Sequence, residues 1–214
     1  MDLQEAKRLI KDGESRSVEF KLKLNHPEKV IREVVAFANT HGGHLFIGVD
    51  DDRNILGSKY AEDDDFVMRK AIEELSRPAV TFDSNRFKIT EKRTLLHYFI
   101  HPGSSKPYFA FEKKQHRYGK AFVRVEDKTI QASPEMRKIL KFNSRPHDTH
   151  FKYGNNEKIL FNYLTENPHI TLPTFRELTG LEYKEASDIL VKMVMANTLK
   201  LIPRESTDWY RPVE

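Results

Sequence analysis

The chain has 214 residues, 38% of them hydrophobic and 32% charged, with 36 Lys+Arg against 32 Asp+Glu and no cysteine. That balance leaves room for one large core or two small ones, and it excludes a disordered or fibrous chain, a disulfide framework and a thiolate metal site. A mixed polar N-terminus and short apolar runs predict neither a secretory signal nor a membrane span, so the expected compartment is the cytoplasm, with no membrane partner.

Leu3, Ala6, Leu9 and Ile10 recur at helical spacing, and Gly13 ends that helix. Residues 18–24 alternate apolar side chains with Glu19, Lys21 and Lys23, which predicts a half-buried strand with one polar face. Pro27 suits a first helical position, and Val30, Ile31, Val34, Val35, Phe37 and Ala38 form a broad apolar stripe behind it. Asn39 and Gly42-Gly43 close this helix. Residues 44–49 then read as a buried strand, 50–54 as a turn and 55–57 as the start of a return strand. A helix over 65–76 opens on Asp63, Asp64 and Asp65, which complement its dipole, and Pro78 stops it. Short strands follow near 80–82, 86–90, 95–101, 108–111 and 121–125. Ser133-Pro134 then opens a helix whose Met136, Ile139 and Leu140 face a core.

Residues 143–156 are polar, carry Pro and Gly, and lack periodicity, which predicts a linker. The chain thus divides into a mixed α/β sheet domain over 1–142 and a small, largely helical domain over 157–214. In the latter, helix, short strand, helix (173–178), helix (184–196) and a hairpin follow in the order of a winged helix-turn-helix. From Lys152 onward there are 8 basic and 9 acidic residues, against 28 and 23 before it, so the positive excess of the chain sits in its N-terminal part. A modest basic excess favours polyanionic partners.

Three carboxylates and a lysine stand at spacings that carry chemistry. Glu19 and Lys21 share the polar face of one strand, Glu14 precedes that strand, and Asp51 follows the next. If the two strands pair, Glu14, Glu19 and Asp51 converge as hard oxygen ligands for Mg²⁺ or Mn²⁺, with Lys21 at a phosphate. The plainer alternative is a solvated strand face and a turn. Phosphate contacts are expected from Lys21, Lys23, Lys106, Lys114, Arg117, Lys120 and Arg124, with Asn39 at the glycine turn. The run 113–120 is the densest in charge and encloses Tyr118, which could stack on an unpaired base. In the second domain the third helix offers Lys184, Ser187 and Lys192, and the hairpin Lys200 and Arg204. No Gly-x-x-x-x-Gly-Lys-[Ser/Thr] loop is present, so an ATP site has no mechanism here.

Residues 14–21 (ESRSVEFK), 36–51 (AFANTHGGHLFIGVDD) and 121–125 (AFVRV) together resemble the Schlafen AlbA-like domain in order and separation, over roughly residues 1 to 142. The resemblance implies an α/β fold. Bacterial members often pair that domain with a C-terminal winged helix and are described as transcriptional regulators. In vertebrate members that cut transfer and ribosomal RNA, three carboxylates hold a catalytic metal, and by motif they correspond to Glu14, Glu19 and Asp51. Those nucleases fuse two copies of the domain, so a single copy is expected to need a homodimer for the same groove. The leading expectation is a DNA-binding transcriptional regulator. The rivals are a Mg²⁺- or Mn²⁺-dependent endoribonuclease acting on structured RNA, and a protein-interaction or dimerisation module.

Overall fold

Asp2 accepts the Glu5 N–H at 2.8 Å and so caps the first helix, α1 (Leu3–Asp12), in a computed structural model that describes residues 1–145 and 153–213. Gly13 ends that helix at φ +97°, and the chain enters β1 (Val18–Lys21), α2 (Pro27–Asn39) and β2 (Gly43–Ile47). β1 and β2 pair in parallel, Glu19 opposite Leu45, with α2 as the crossover between them. The apolar stripe of α2 is fully used: Ile31, Val34, Val35, Ala36 and Phe37 are all 0% exposed. At the tight return Gly42 takes φ +78°, and a Cβ on Gly43 would stand 2.3 Å from the Phe37 ring. Glycine is therefore required for α2 to lie directly against the strand that follows it.

Helix α3 (Ala61–Leu75) leads through β3 (Ser76–Arg77) to the hairpin of β4 (Phe82–Thr90) and β5 (Arg93–Ile100). The main sheet has the order β1-β2-β5-β4 and is antiparallel beyond the first pair. β6 (Phe109–Ala110) pairs with β3, and β7 (Phe122–Val125) pairs with β8 (Lys128–Gln131). One face of the sheet packs on α2 and α3 through Leu45, Ile47, Tyr98 and Ile100. The other face packs on α1 through Ala6, Ile10, Phe46 and Leu95. The two strands expected near 80–82 and 86–90 are one continuous strand, β4, while β8 has no counterpart in the sequence reading. The return strand at 55–57 is reduced to a single bridge between Val49 and Ile55.

α3 begins four residues earlier than its sequence pattern suggests, and this changes the meaning of Asp65. Instead of complementing the helix dipole, it is 2% exposed and accepts Tyr98 Oη at 2.6 Å, Arg69 Nε at 2.9 Å and an Arg86 Nη2–H. Burial pushes its carboxyl up, but these donors outweigh it and hold it below the usual carboxylate range.

The second unit runs from Ala132, so α4 (Pro134–Ser144) belongs to it rather than to the first domain. Ser133 caps α4, accepting the Met136 N–H at 2.9 Å, and Ile139 joins the second core. α5 (Asn155–Glu166), α6 (Leu172–Thr179), α7 (Tyr183–Met195) and the antiparallel hairpin β9 (Leu199–Ile202) and β10 (Trp209–Pro212) complete the unit. Ile170, between α5 and α6, exchanges two backbone hydrogen bonds with Tyr210, at 2.9 and 2.8 Å. Leu160, Phe175, Ala186, Leu190 and Tyr210 are 0–1% exposed at the centre. Of the expected linker, residues 146–152 lie outside the described residues, and helices α4 and α5 take part of the rest. With the boundary at 131/132 the first unit holds 24 basic and 21 acidic residues and the second 12 and 11, a more even division than the sequence partition indicates. Among the described residues no helix is long and apolar enough to cross a membrane.

His97 lies 1% exposed on β5, with its Nε2 2.9 Å from Nδ1 of His44 and its Nδ1 3.2 Å from Nδ2 of Asn85. The Asn85 amide is a donor, so Nδ1 of His97 accepts and its Nε2–H donates to His44. Burial, reinforced by His44, pushes the His97 value from 6.5 down to about 3. A histidine whose folded value lies below its unfolded value is protonated first in the unfolded chain. Its contribution is complete above the unfolded value and is lost as the pH falls from there toward about 3. Denaturant titrations between about pH 6 and pH 4 are expected to show His97→Phe less acid-sensitive than the wild type, by up to about 1.4 kcal/mol per pH unit.

Candidate functional site

The polar residues of β1 meet the β7–β8 hairpin and α2 in one buried cluster. Arg124, on β7, has a side chain only 1% exposed. Its Nη1 donates to Glu19 Oε2 at 2.8 Å, Glu33 Oε2 at 3.1 Å and Thr129 Oγ1 at 3.0 Å. Its Nη2 donates to the Ser15 carbonyl at 2.6 Å, and its guanidinium lies 5.0 Å from the centre of the Phe37 ring. Thr129 faces Arg124 across the hairpin and donates its hydroxyl proton to Glu33. Lys21 pairs with the other oxygen of Glu19. Just outside, Glu14 Oε1 accepts the Phe20 N–H at 3.0 Å. Burial, followed by the charge of Glu19, pushes Glu33 above the usual carboxylate range. Burial also raises Glu14, against the Phe20 N–H, and Glu19 adds to the rise.

Alternation along β1 indicates that Glu19 and Lys21 share a face, and they do. What the sequence reading missed is Glu33, which the helical stripe places on the margin of α2, and the pairing of Arg124 with Glu19 across 105 residues. No local pattern marks that pair. Arg124 is thereby corrected from a phosphate contact to the buried counter-ion of two glutamates. Asp51 stands on the exposed turn after β2, where its neighbour Asp50 does the structural work, accepting the Asn54 N–H at 2.8 Å. Among the described residues no three His, Asp or Glu side chains are grouped so as to hold a metal ion. Both oxygens of Glu19 are already engaged by cations, so Glu14, Glu19 and Asp51 do not fit a Mg²⁺ or Mn²⁺ site as they stand.

Two other expected contacts are structural. Asn39, 2% exposed, donates to the carbonyls of Tyr108 and Phe122, both at 2.9 Å, and accepts the Tyr108 N–H at 2.7 Å. It therefore holds the 108 loop and β7 onto the end of α2. Ser187, 1% exposed, donates to Glu135 at 2.7 Å, because residue 187 falls on the face of α7 that meets α4. Lys106 is half-buried and donates to the Thr40 carbonyl at 2.6 Å; burial lowers its ammonium. Lys114 pairs with Glu74 at 2.9 Å. Lys23, Arg117, Lys120, Lys184, Lys192, Lys200 and Arg204 are exposed, as a polyanion contact requires. Arg117 lies 5.5 Å from the centre of the Tyr118 ring, and Arg204 lies 4.1 Å from that of Trp209.

A parallel strand pair joined by a crossover helix, returning through Asn-Thr-His-Gly-Gly and sealed by a Glu–Arg–Glu cluster, makes the first unit a mixed α/β domain. The model of the family described as Schlafen, AlbA_2 matches residues 14–133, and the chain belongs to that family. Among solved structures, a protein of Corynebacterium diphtheriae matches at 18% identity and TM-score 0.47, over 85% of this chain. The chain spans 37% of that structure. The N-terminal domain of a protein described as related to the DNA helicase RecG, from Nitrosomonas europaea, matches at 20% identity and TM-score 0.43, over 70% of this chain and 98% of that one.

Replacing Arg124 with Met leaves the part-buried Glu33 without its counter-ion and buried Glu19 with Lys21 alone. This substitution is expected to cost about 3 kcal/mol at neutral pH by urea titration. Carboxyls whose folded values are raised lose stability as the pH rises through those values. The deficit of the variant is therefore expected to shrink as the pH is lowered toward about 5.

Proposed function

We propose that the chain is a nucleic-acid-binding protein that works as a DNA-binding transcriptional regulator, with its C-terminal unit acting as a winged helix. The observation that carries this reading is the element order of that unit. Helix, a bridged segment at Ile170, helix, helix and hairpin follow one another, and Lys184 and Lys192 are exposed on the third of these helices, α7. In this reading α7 enters the major groove and the β9–β10 hairpin lies along the backbone, with Lys200 and Arg204 at phosphates. The cytoplasm is the compartment such a regulator needs, and a homodimer would match a two-fold operator.

The expected result is binding to duplex DNA that falls steeply with salt. Lys184→Ala combined with Lys192→Ala should weaken it and flatten the log–log salt slope by about 0.9 for each phosphate that the variant no longer neutralises. A slope unchanged in the double variant would remove α7 from the interface, and no binding at low salt would remove the reading.

The ribonuclease alternative requires Glu19 to release Lys21 and Asp51 to join it. The regulator reading expects transfer RNA to stay intact with excess protein and Mn²⁺. Cutting that stops with EDTA and with Glu14→Gln would establish the nuclease instead.

A further inference from the structure

The first unit holds a cavity of about 190 Å³ between the start of α2 and the loop that precedes β7. Its floor is aromatic. Phe111 and Phe122 line it at 6% and 7% exposure, while Tyr118, on its rim, is 79% exposed. Guanidinium groups brace the floor: Arg77 lies 4.3 Å from the Phe111 ring centre and Arg32 5.8 Å from that of Phe122. The loop is held at several points. Arg77 donates to the carbonyls of Lys114 and His116, and Ala110 and Lys120 exchange backbone hydrogen bonds at 2.8 and 2.9 Å. Gly119 lets the chain cross this close, since a Cβ there would stand 2.8 Å from both the Ala110 carbonyl and the Phe111 ring. A large exposed tyrosine is thus presented on a fixed loop rather than on a mobile tip.

The polar lining is mixed in sign. Arg32 and Lys120 supply positive charge, and Glu28 and Glu112 supply acceptors, with Glu28 also 3.2 Å from His26. A cavity of this size lies below the range typical of drug-sized ligands. Flat aromatic walls suit a planar ring, the cations suit a phosphate attached to it, and the carboxylates suit a ring that bears an amino group. We infer that this cavity binds one unpaired, amino-bearing nucleobase (guanine, adenine or cytosine) stacked on Tyr118, with its phosphate at Arg32 or Lys120. The site belongs to the first unit and does not depend on the helix proposed above for duplex binding. Two sources present the same chemistry, a base in a single strand and a free nucleotide.

The experiment is fluorescence anisotropy on the full chain with labelled oligo(C), oligo(A) and oligo(U), competed with CMP and UMP. Oligo(C) and oligo(A) are expected to bind more tightly than oligo(U). Tyr118→Ala should weaken oligo(C) about tenfold, the low end of what one stacked base supplies, while Tyr118→Phe should retain it. Glu112→Gln combined with Glu28→Gln should narrow the preference for oligo(C) over oligo(U). Competition by CMP with the affinity of the oligomer would identify a free nucleotide as the source and keep the site. Equal affinity for all three oligomers, or a Tyr118→Ala variant that binds oligo(C) as the wild type does, would overturn the inference. Duplex binding in the same preparations tells its failure from that of the regulator reading. Tyr118 variants should leave duplex affinity unchanged, and the Lys184 and Lys192 variants should leave oligo(C) affinity unchanged.

Discussion

The guanidinium of Arg124 is the interaction on which the first unit depends. One group on β7 neutralises Glu19 on β1 and Glu33 on α2, and it also bonds the backbone at Ser15. A charge 1% exposed has no water to fall back on, so its partners must all be in place together. That requirement ties the β7–β8 hairpin, which is outside the main sheet, to the strand pair inside it. Burial is the main reason why Glu14 and Glu33 are pushed upward, and the charge of Glu19 adds to it. In this chain the cluster is a joint between elements.

Asn39 performs the neutral version of the same task. Its amide makes three hydrogen bonds to the backbone at Tyr108 and Phe122 and so brings the 108 loop against the end of α2. The two devices sit at different points along α2: Asn39 closes it, and Glu33 lies nearly two turns before. Between them runs the apolar stripe that packs on the sheet. Because α2 is held at both points, the glycine return at 42–43 and the aromatic cavity beside the start of the helix take defined shapes. Elements outside the main sheet thereby acquire surfaces on which a ligand can find fixed partners.

In the second unit the burial of polar side chains is what redraws the boundary. Glu135 on α4 accepts Tyr183 Oη at 2.9 Å and Ser187 Oγ at 2.7 Å, and Lys138 reaches Asp188 at 2.8 Å. These contacts bind α4 to α7, and they remove Ser187 from any surface role. Lys184 and Lys192 remain exposed on α7.

The amino-acid sequence alone determined several of the local elements and the family. Alternation set β1, the apolar stripe set α2, Ser133-Pro134 set the start of α4, and the long motifs at 14–21 and 36–51 carried the AlbA-like assignment. These are signals of period, capping and motif order, and they are readable within a few residues of one another. Only the tertiary structure decided which polar residues are available. Glu19, Asn39, Arg124 and Ser187 resemble their exposed neighbours in sequence, yet each is buried on a partner 52 or more residues away. The physical reason is that a polar side chain is buried only where a distant donor or acceptor meets it, and no local pattern encodes that meeting.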